Sequence, residues 1–366
     1  MKKVLFALSA LALLCAFVAC SPENNNGEGG GNQDNPDEIA VTGEALDVTA
    51  FSAMLTGYAN LPSESAGDVE AGIMYGKGKS FVEARMIAAS GLDGDNSFTV
   101  KVTGLSPGTT YSYKSYVQSG TAIKYGAVKS FTTKESKCPE GAVDLGIVMT
   151  RADGTTYDLY WAKSNLREGG FCANPEDYGD YYAWGETDPY YEAGHSRDNP
   201  CGNWRNGKTG YDYASYKWCN GSNSTMTKYC TMGSYGNVDD ITVLQRGEKS
   251  GETVDDVARY ELGVKWRMPT LEEWIALLDQ CTWVRTTQNG IPGTQVSAAN
   301  GNSIFLPATG CRYDVELTHP ERGFYWSSSL GTDLPNLARA MSFKPDRVLT
   351  CYESRAAGLS IRPVTE

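Results

Sequence analysis

Two histidines, ten cysteines and a band of aromatic residues are the side chains of this 366-residue sequence from which chemistry could be built. An enzyme needs a base, a nucleophile or a metal held in place. His195 lies in a loop rich in Gly, Asp and Pro, and His319 directly precedes Pro320, so both read as exposed loop residues rather than catalytic bases. Ser327, Ser328 and Ser329 lack a Gly-x-Ser-x-Gly setting and are expected to bond local backbone. No Cys-x-x-Cys occurs and neither histidine stands in a ligand pattern, which argues against zinc. Asp239-Asp240 could coordinate a hard cation, but adjacent acids on a loop are ordinarily just solvated. The expectation is a non-enzymatic protein with no metal and no cofactor.

The N-terminus supplies an address. Lys2 and Lys3 precede an uncharged apolar run over residues 4–17, too short to span a bilayer as a stable helix. The run ends in Phe17-Val18-Ala19-Cys20, which resembles a bacterial lipobox with Phe at the usual Leu position. Residues 1–19 therefore read as a signal peptide and Cys20 as the lipidation site. Residues 20–38, almost all polar or Gly, read as a flexible tether that cannot bury enough apolar surface to order itself. The expected location is the cell envelope, anchored to a membrane through lipid on the outer membrane and exposed at the surface, with the periplasmic face as the alternative. Removing residues 1–19 removes Lys2 and Lys3 and takes the formal charge from −12 to −14. So acidic a chain repels phosphate backbones, which excludes nucleic acid as a partner.

Setting aside Cys15 and Cys20 leaves Cys138, Cys172, Cys201, Cys219, Cys230, Cys281, Cys311 and Cys351. An even number in an exported chain predicts disulfides, at least two, although eight cysteines allow 105 pairings and spacing selects none of them.

Two domains are expected to carry these residues. Over residues 39–134, short polar–apolar alternations at 52–58, 70–75, 97–102, 110–117 and 124–131 are separated by Gly, Pro, Asp and Ser, which predicts strands. Gly104-Leu105-Ser106-Pro107-Gly108-Thr109-Thr110-Tyr111 resembles the turn before strand F of fibronectin type III domains, where a tyrosine bonds back to the turn. The expectation is a seven-stranded all-β sandwich acting as a spacer.

Residues 135–366 open with a hairpin around Asp153-Gly154. Helices are expected over 254–262, stopping at Gly263, and over 270–280. The second has a capping box of Thr270 and Glu273 and an apolar face of Leu271, Trp274, Ile275 and Leu278. Strands are expected at 281–287, 293–297, 303–307, 323–328, 338–343 and 357–364. Trp266, Trp274 and Trp326 read as core, and Arg267 and Arg362 as buried arginines paired with carboxylates.

Several segments of this part resemble one family. Trp266-Arg267-Met268-Pro269-Thr270, Leu306-Pro307-Ala308-Thr309-Gly310, Tyr325-Trp326-Ser327-Ser328 and 358–364, with Tyr160-Trp161-Ala162-Lys163-Ser164-Asn165-Leu166 and 181–186 upstream, fit the Fibrobacter succinogenes major paralogous domain family. These are bacterial surface and secreted modules related in fold to C-type lectins and formylglycine-generating enzymes. The resemblance implies an α+β C-type-lectin-like second domain. It does not carry over the enzymes' copper chemistry, because those use two closely spaced cysteines and Cys351 stands alone. The calcium motifs of sugar-binding lectins are also missing.

Residues 171–235 are crowded with Tyr, Trp, Gly and Asn and poor in aliphatic residues. Trp204, Tyr211, Tyr213, Tyr216 and Trp218 are the candidate ligand-binding residues, since sugar rings stack on aromatic faces and loops carry binding residues. The competing expectation is that these rings build a local core. The leading functional expectation is a non-enzymatic, lipid-anchored envelope protein for adhesion or recognition of a glycan or surface protein. The alternatives are a structural subunit of a surface appendage and, third, an orphan enzyme.

Overall fold

Burial alternates along Ser97–Thr103, with Phe98, Val100 and Val102 inside and their neighbours outside, and this period of two is what lets a strand cover one face of a core. The computed structural model describes residues 39–61, 69–190, 204–247 and 251–366. The signal and tether segments, with Cys20, lie outside the described residues, as do His195 and Cys201.

The first part contains β1 (Ala40–Leu46), β2 (Ser52–Ala59), β3 (Val69–Lys77), β4 (Val82–Ala88), β5 (Ser97–Thr103), β6 (Thr110–Ser119), β7 (Ala122–Tyr125) and β8 (Lys129–Thr132). One sheet runs β1-β2-β5 and the other β4-β3-β6-β7, with β8 also on β6. Segments β7 and β8 lie in turn along β6 and act as one interrupted last strand. Seven strand positions in two antiparallel sheets make a fibronectin type III-like sandwich. Its core includes Leu55, Ile73, Phe98, Val100, Val102 and Tyr113, and each such buried aliphatic or Phe side chain contributes about 1.5–3 kcal/mol. The Tyr111 hydroxyl accepts from the Ser106 backbone N–H at 2.9 Å, the corner bond expected from the turn sequence.

The second part follows with β9 (Ala142–Thr150), β10 (Thr156–Ala162), β11 (Leu166–Arg167), β12 (Gly170–Phe171), α1 (Val257–Leu262), β13 (Trp266–Arg267), α2 (Leu271–Gln280) and β14 (Thr282–Gln288). Then come β15 (Ile291–Ser297), β16 (Ser303–Pro307), β17 (Cys311–Tyr313), β18 (Glu316–Thr318), β19 (Gly323–Leu330), β20 (Leu337–Phe343), β21 (Val348–Ser354) and β22 (Val364–Thr365). They form small antiparallel sheets: β13-β22-β10-β9, β14-β15-β16 and β19-β20-β21, with hairpins β11-β12 and β17-β18. Trp161, Trp274, Tyr325, Phe343 and Val364 pack in one core cluster, and Trp184, Trp326, Phe324, Leu359 and Ile361 in another. Trp266, Trp274 and Trp326 are all buried.

This architecture corrects the expected fold class. An α+β second domain is not what forms: among the described residues the helices are only α1, with 6 residues, and α2, with 10, and strands dominate both parts. The physical reason is visible between β12 and α1. That stretch has no run of aliphatic residues at helical spacing, and its described residues fold as turns and isolated bridges. Helix α1 begins three residues later than expected because the Asp256 side chain caps it, accepting from Arg259 N–H, and it stops at Gly263 with φ 81°. Helix α2 has the Thr270–Glu273 capping box, but its buried residues are Glu273, Trp274 and Leu277, while Ile275 faces outward.

The two arginines diverge. Arg267 makes the expected fork on Glu273, with Nη1 to Oε2 at 2.7 Å and Nη2 to Oε1 at 2.5 Å, and a third bond to Glu366 at 2.8 Å. Arg362 is fully buried without a carboxylate. It donates to Asn165 Oδ1 at 2.8 Å and to the carbonyls of Ala162, Lys163 and Phe305. Burial holds its pKa below the ordinary arginine value, and its work is to tie four backbone and amide acceptors together.

Candidate functional site

Of the five candidate rings, Tyr211 and Tyr216 are core and Trp204, Tyr213 and Trp218 pack against it. Tyr211 is buried, stacks on Tyr190 with centroids 4.2 Å apart, and donates its hydroxyl to Tyr181 O at 2.6 Å. Tyr216 is buried with its hydroxyl on Trp184 O at 2.7 Å. Tyr213 and Trp218 are half-buried, bonding Asn336 O at 2.8 Å and Gly185 O at 2.7 Å, and half-buried Trp204 packs edge-on against Tyr211. None of the five is exposed. The cause is the shortage of aliphatic side chains, which leaves rings to supply most of the apolar bulk of the cluster around Tyr181, Met226 and Ala356.

Arg355 holds that cluster to the rest of the second part. It is fully buried and bonds Tyr216 Oη at 3.0 Å, Tyr229 O at 3.0 Å, Pro335 O at 2.8 Å and Lys228 O at 3.0 Å. Its guanidinium also faces the Trp184 ring at 5.1 Å. Beside it, the buried Glu186 carboxylate accepts from Tyr190, Lys208 and the Lys217 backbone.

The expected disulfides are also absent from the described residues. Cys138, Cys172, Cys219, Cys230, Cys281, Cys311 and Cys351 are all free thiols. They are spread over different clusters and make local contacts instead: Cys219 Sγ donates to Tyr213 O at 3.0 Å, Cys230 Sγ to Met232 O at 3.2 Å, and Cys311 Sγ lies 3.1 Å from Thr318 Oγ1. Burial pushes the Cys138 and Cys281 thiols up to about 11 and those of Cys172 and Cys311 up to about 12, so they behave as small apolar residues. Cys351 sits beside Glu353, and burial raises its pKa as well.

The remaining polar candidates are structural. His319 is an exposed loop residue with φ 50° whose Nδ1 lies 3.9 Å from Glu321. The Asp239 carboxylate is occupied by the N–H groups of Tyr229, Cys230 and Ile241, which makes it a loop staple. Ser327 donates to Arg339 O at 2.8 Å.

Concave surface appears elsewhere, along the junction between the sandwich and the second part. Strand β9 is the edge of its sheet, and its pairing with β10 slips between Leu159 and Tyr160, leaving Leu145 and Gly146 as a bulge with Gly146 at φ 70°. The bulge turns the Asp144 carboxylate back onto Gly146 N–H at 2.7 Å. Burial raises the Asp144 pKa, the Gly146 bond opposes that rise, and nearby Asp158 adds to it. The side-chain amides of Asn300 and Asn302 both donate to the Asp144 carbonyl, at 2.9 and 2.8 Å.

Three cavities adjoin along this edge. The first, about 370 Å³, is walled by Thr49, Phe51 and Lys101 of the sandwich and by Asp144, Gln280 and Asn300. The second, about 490 Å³, shares Phe51 and Asp144 with the first and adds Cys138, Lys163 and Asn302. The third, about 280 Å³, shares Lys163 and Ser303 with the second and ends at Pro175, Gln288 and Gln295. Junctions between domains are a usual place for ligand sites. Amides, hydroxyls, Lys101, Lys163, the carboxylates of Asp144 and Glu140 and the half-buried Phe51 converge here, a set able to hold a polar ligand. Sequence reasoning missed this site because its walls come from two parts of the chain; the Asn300–Asn302 pair beside Gly301 was the available signal.

No protein-family model matches the chain, and no curated protein matches it. Among solved structures, it is similar to the sensor domain of the anti-sigma factor RsgI4 of Pseudobacteroides cellulosolvens, at 20% identity over 26% of this chain and 74% of that one, with a TM-score of 0.23. It is also similar to the human KIAA0970 fibronectin type III domain, at 12% identity over 31% and 90% of the two chains, TM-score 0.23. The third fibronectin type III domain of human KIAA0343 matches at 19% identity over 31% and 98%, TM-score 0.23. Scores this low leave the fold of the first part resting on its own strand order and its Tyr111 corner.

Proposed function

We propose that this is a non-enzymatic recognition protein of the cell envelope, anchored through lipid on Cys20, which binds a hydroxyl-rich ligand, a glycan, in the groove along β9. The observation that carries the reading is the lining of that groove. Gln280, Asn300 and Asn302 line the cavities that Phe51 also lines, and Gln288 and Gln295 line the third. Asn300, Asn302, Gln288 and Gln295 each donate one local bond, to Asp144 O, Glu176 or Ser303, and the remaining donors and acceptors of these amides match sugar hydroxyls. The Lys2–Lys3 and Ala19-Cys20 pattern supports export and anchoring. No helix among the described residues is long and apolar enough to cross a membrane. The second part is taken as a module of the Fibrobacter major paralogous domain family on its motif residues, with an almost all-β architecture.

A glycan array probed with residues 39–366 tests the function. Binding to glycans that is reduced by Lys163→Ala or Gln295→Ala supports it, and a blank array sinks it. The structural alternative, an assembly subunit without a small ligand, is favoured by one observation, the packing of the aromatic band into core. It predicts the blank array together with self-association.

A further inference from the structure

The sequence assigns the sandwich no more than a spacer role, yet its loop between β1 and β2 walls two of the three cavities. We propose that the sandwich is half of the binding site: the groove takes a linear, neutral oligosaccharide, one sugar ring per cavity, which crosses from the sandwich to the second part over the Phe51 ring. This rests on the recognition reading above and adds the ligand's length, charge and point of stacking.

Phe51 is held in place before any ligand arrives. Its carbonyl accepts from Leu105 N–H at 3.0 Å, and Thr49 Oγ1 accepts from the N–H groups of Phe51 at 3.2 Å and Ser52 at 2.9 Å. A loop whose backbone is fixed loses little main-chain freedom on binding, and that preorganisation favours affinity. Phe51 and Asp144 line both the first and the second cavity, so a chain that occupies both passes these two residues.

Charge selects a neutral chain. Lys101 and Lys163 stand against Asp144 and Glu140 in the lining, so the groove has no excess of either sign, and the whole chain carries a formal −12 that repels polyanions. At the Ala142–Asp144 end of β9 the backbone disfavours a peptide strand. An added strand would need the outward groups of edge strand β9, but Ala142 N–H is taken by Pro139 O at 3.1 Å and the Asp144 carbonyl by Asn300 and Asn302. Length follows from the cavities: the first shares lining residues with the second and the second with the third, so a single sugar cannot reach from one end to the other and a chain of at least three rings is proposed to do so.

The test is calorimetric titration of the intact protein with cellotriose, maltotriose and mannotriose and the matching disaccharides. The expected result is that at least one trisaccharide binds more tightly than its disaccharide. Phe51→Ala should weaken that binding about tenfold or more, as loss of an aromatic anchor does, with the melting temperature unchanged, and Phe51→Trp should restore it. A glycan that binds the intact protein on an array yet is indifferent to Phe51→Ala, or gains nothing from a third ring, overturns this proposal and leaves the recognition reading standing. Failure of every glycan, on the array and in the titration, overturns both.

Discussion

The backbone N–H of Gly104, in the sandwich, donates to the carbonyl of Asn300, in the second part, across 3.1 Å. Asn300 meanwhile reaches β9 through its side chain at the Asp144 carbonyl and caps its own loop by accepting from Asn302 N–H at 3.0 Å. One residue therefore fixes the groove's floor to both of its walls. The neighbouring Gly301 has φ 89°, and a Cβ there would come within 2.5 Å of Gly104 N.

Gly301→Ala should accordingly part the junction. The substitution meets a backbone conformation that L side chains rarely adopt and a contact against backbone that cannot move aside cheaply, at a cost of about 1–3 kcal/mol. Urea unfolding of the variant should show that loss, and glycan affinity should fall with it. Unaltered stability would mean the two parts do not meet at this loop.

Tyr111→Phe removes the acceptor of the Ser106 N–H while leaving the ring packed. Stranding a half-buried donor costs about 1–3 kcal/mol, read as a lower denaturant midpoint at constant slope. No change would show that water replaces the hydroxyl.

Arg267→Met leaves the Glu273 carboxylate buried and unpaired, which should destabilise the protein by about 3–5 kcal/mol. The pH dependence gives a second reading. Burial works to raise the Glu273 pKa, but the bonds and charge of Arg267 outweigh it, so the carboxyl titrates below its ordinary value of 4.5. A carboxylate depressed in the folded state contributes stability that is present above its unfolded pKa and is lost as pH falls through the folded one. Unfolding measured from pH 7 down through pH 4.5 and below should show the wild-type protein losing this increment and Arg267→Met showing less of that loss. Parallel profiles would remove the pair from the acid response.

Arg355→Met should release the aromatic band. It strips bonds from two buried carbonyls, one part-buried carbonyl and a tyrosine hydroxyl, with a loss of about 3 kcal/mol. Limited proteolysis should then cut between residues 204 and 247 while the sandwich stays intact. Resistance equal to that of wild type would show that the rings hold themselves together.

Much of the sandwich was legible because its inner strands alternate, as β5 does. The edge strand β4 was not: nearly all of it is exposed, so no apolar period marks it. The last strand read as continuous, yet Gly126 interrupts it where a Cβ would meet Ala40 O and Ser115 Oγ. In the second part, the Thr270–Glu273 cap and the Asp153-Gly154 turn are local chemistry and were readable. Arg355 was not, because its acceptors on Lys228 and Tyr229 lie 127 and 126 residues away and are backbone carbonyls, which leave no mark in a sequence. The groove was hidden for the same reason, since Phe51 and Asp144 meet only in three dimensions.

Strand β22 lies inside its sheet, between β13 and β10, although it comprises only Val364 and Thr365. A growing chain therefore carries two open strand edges until those residues arrive, and Arg267 waits as long for the Glu366 bond. Closure of this sheet is a late event with large loops to close. A chain clipped before Val364 would be left with adhesive edges rather than a smaller version of the same fold.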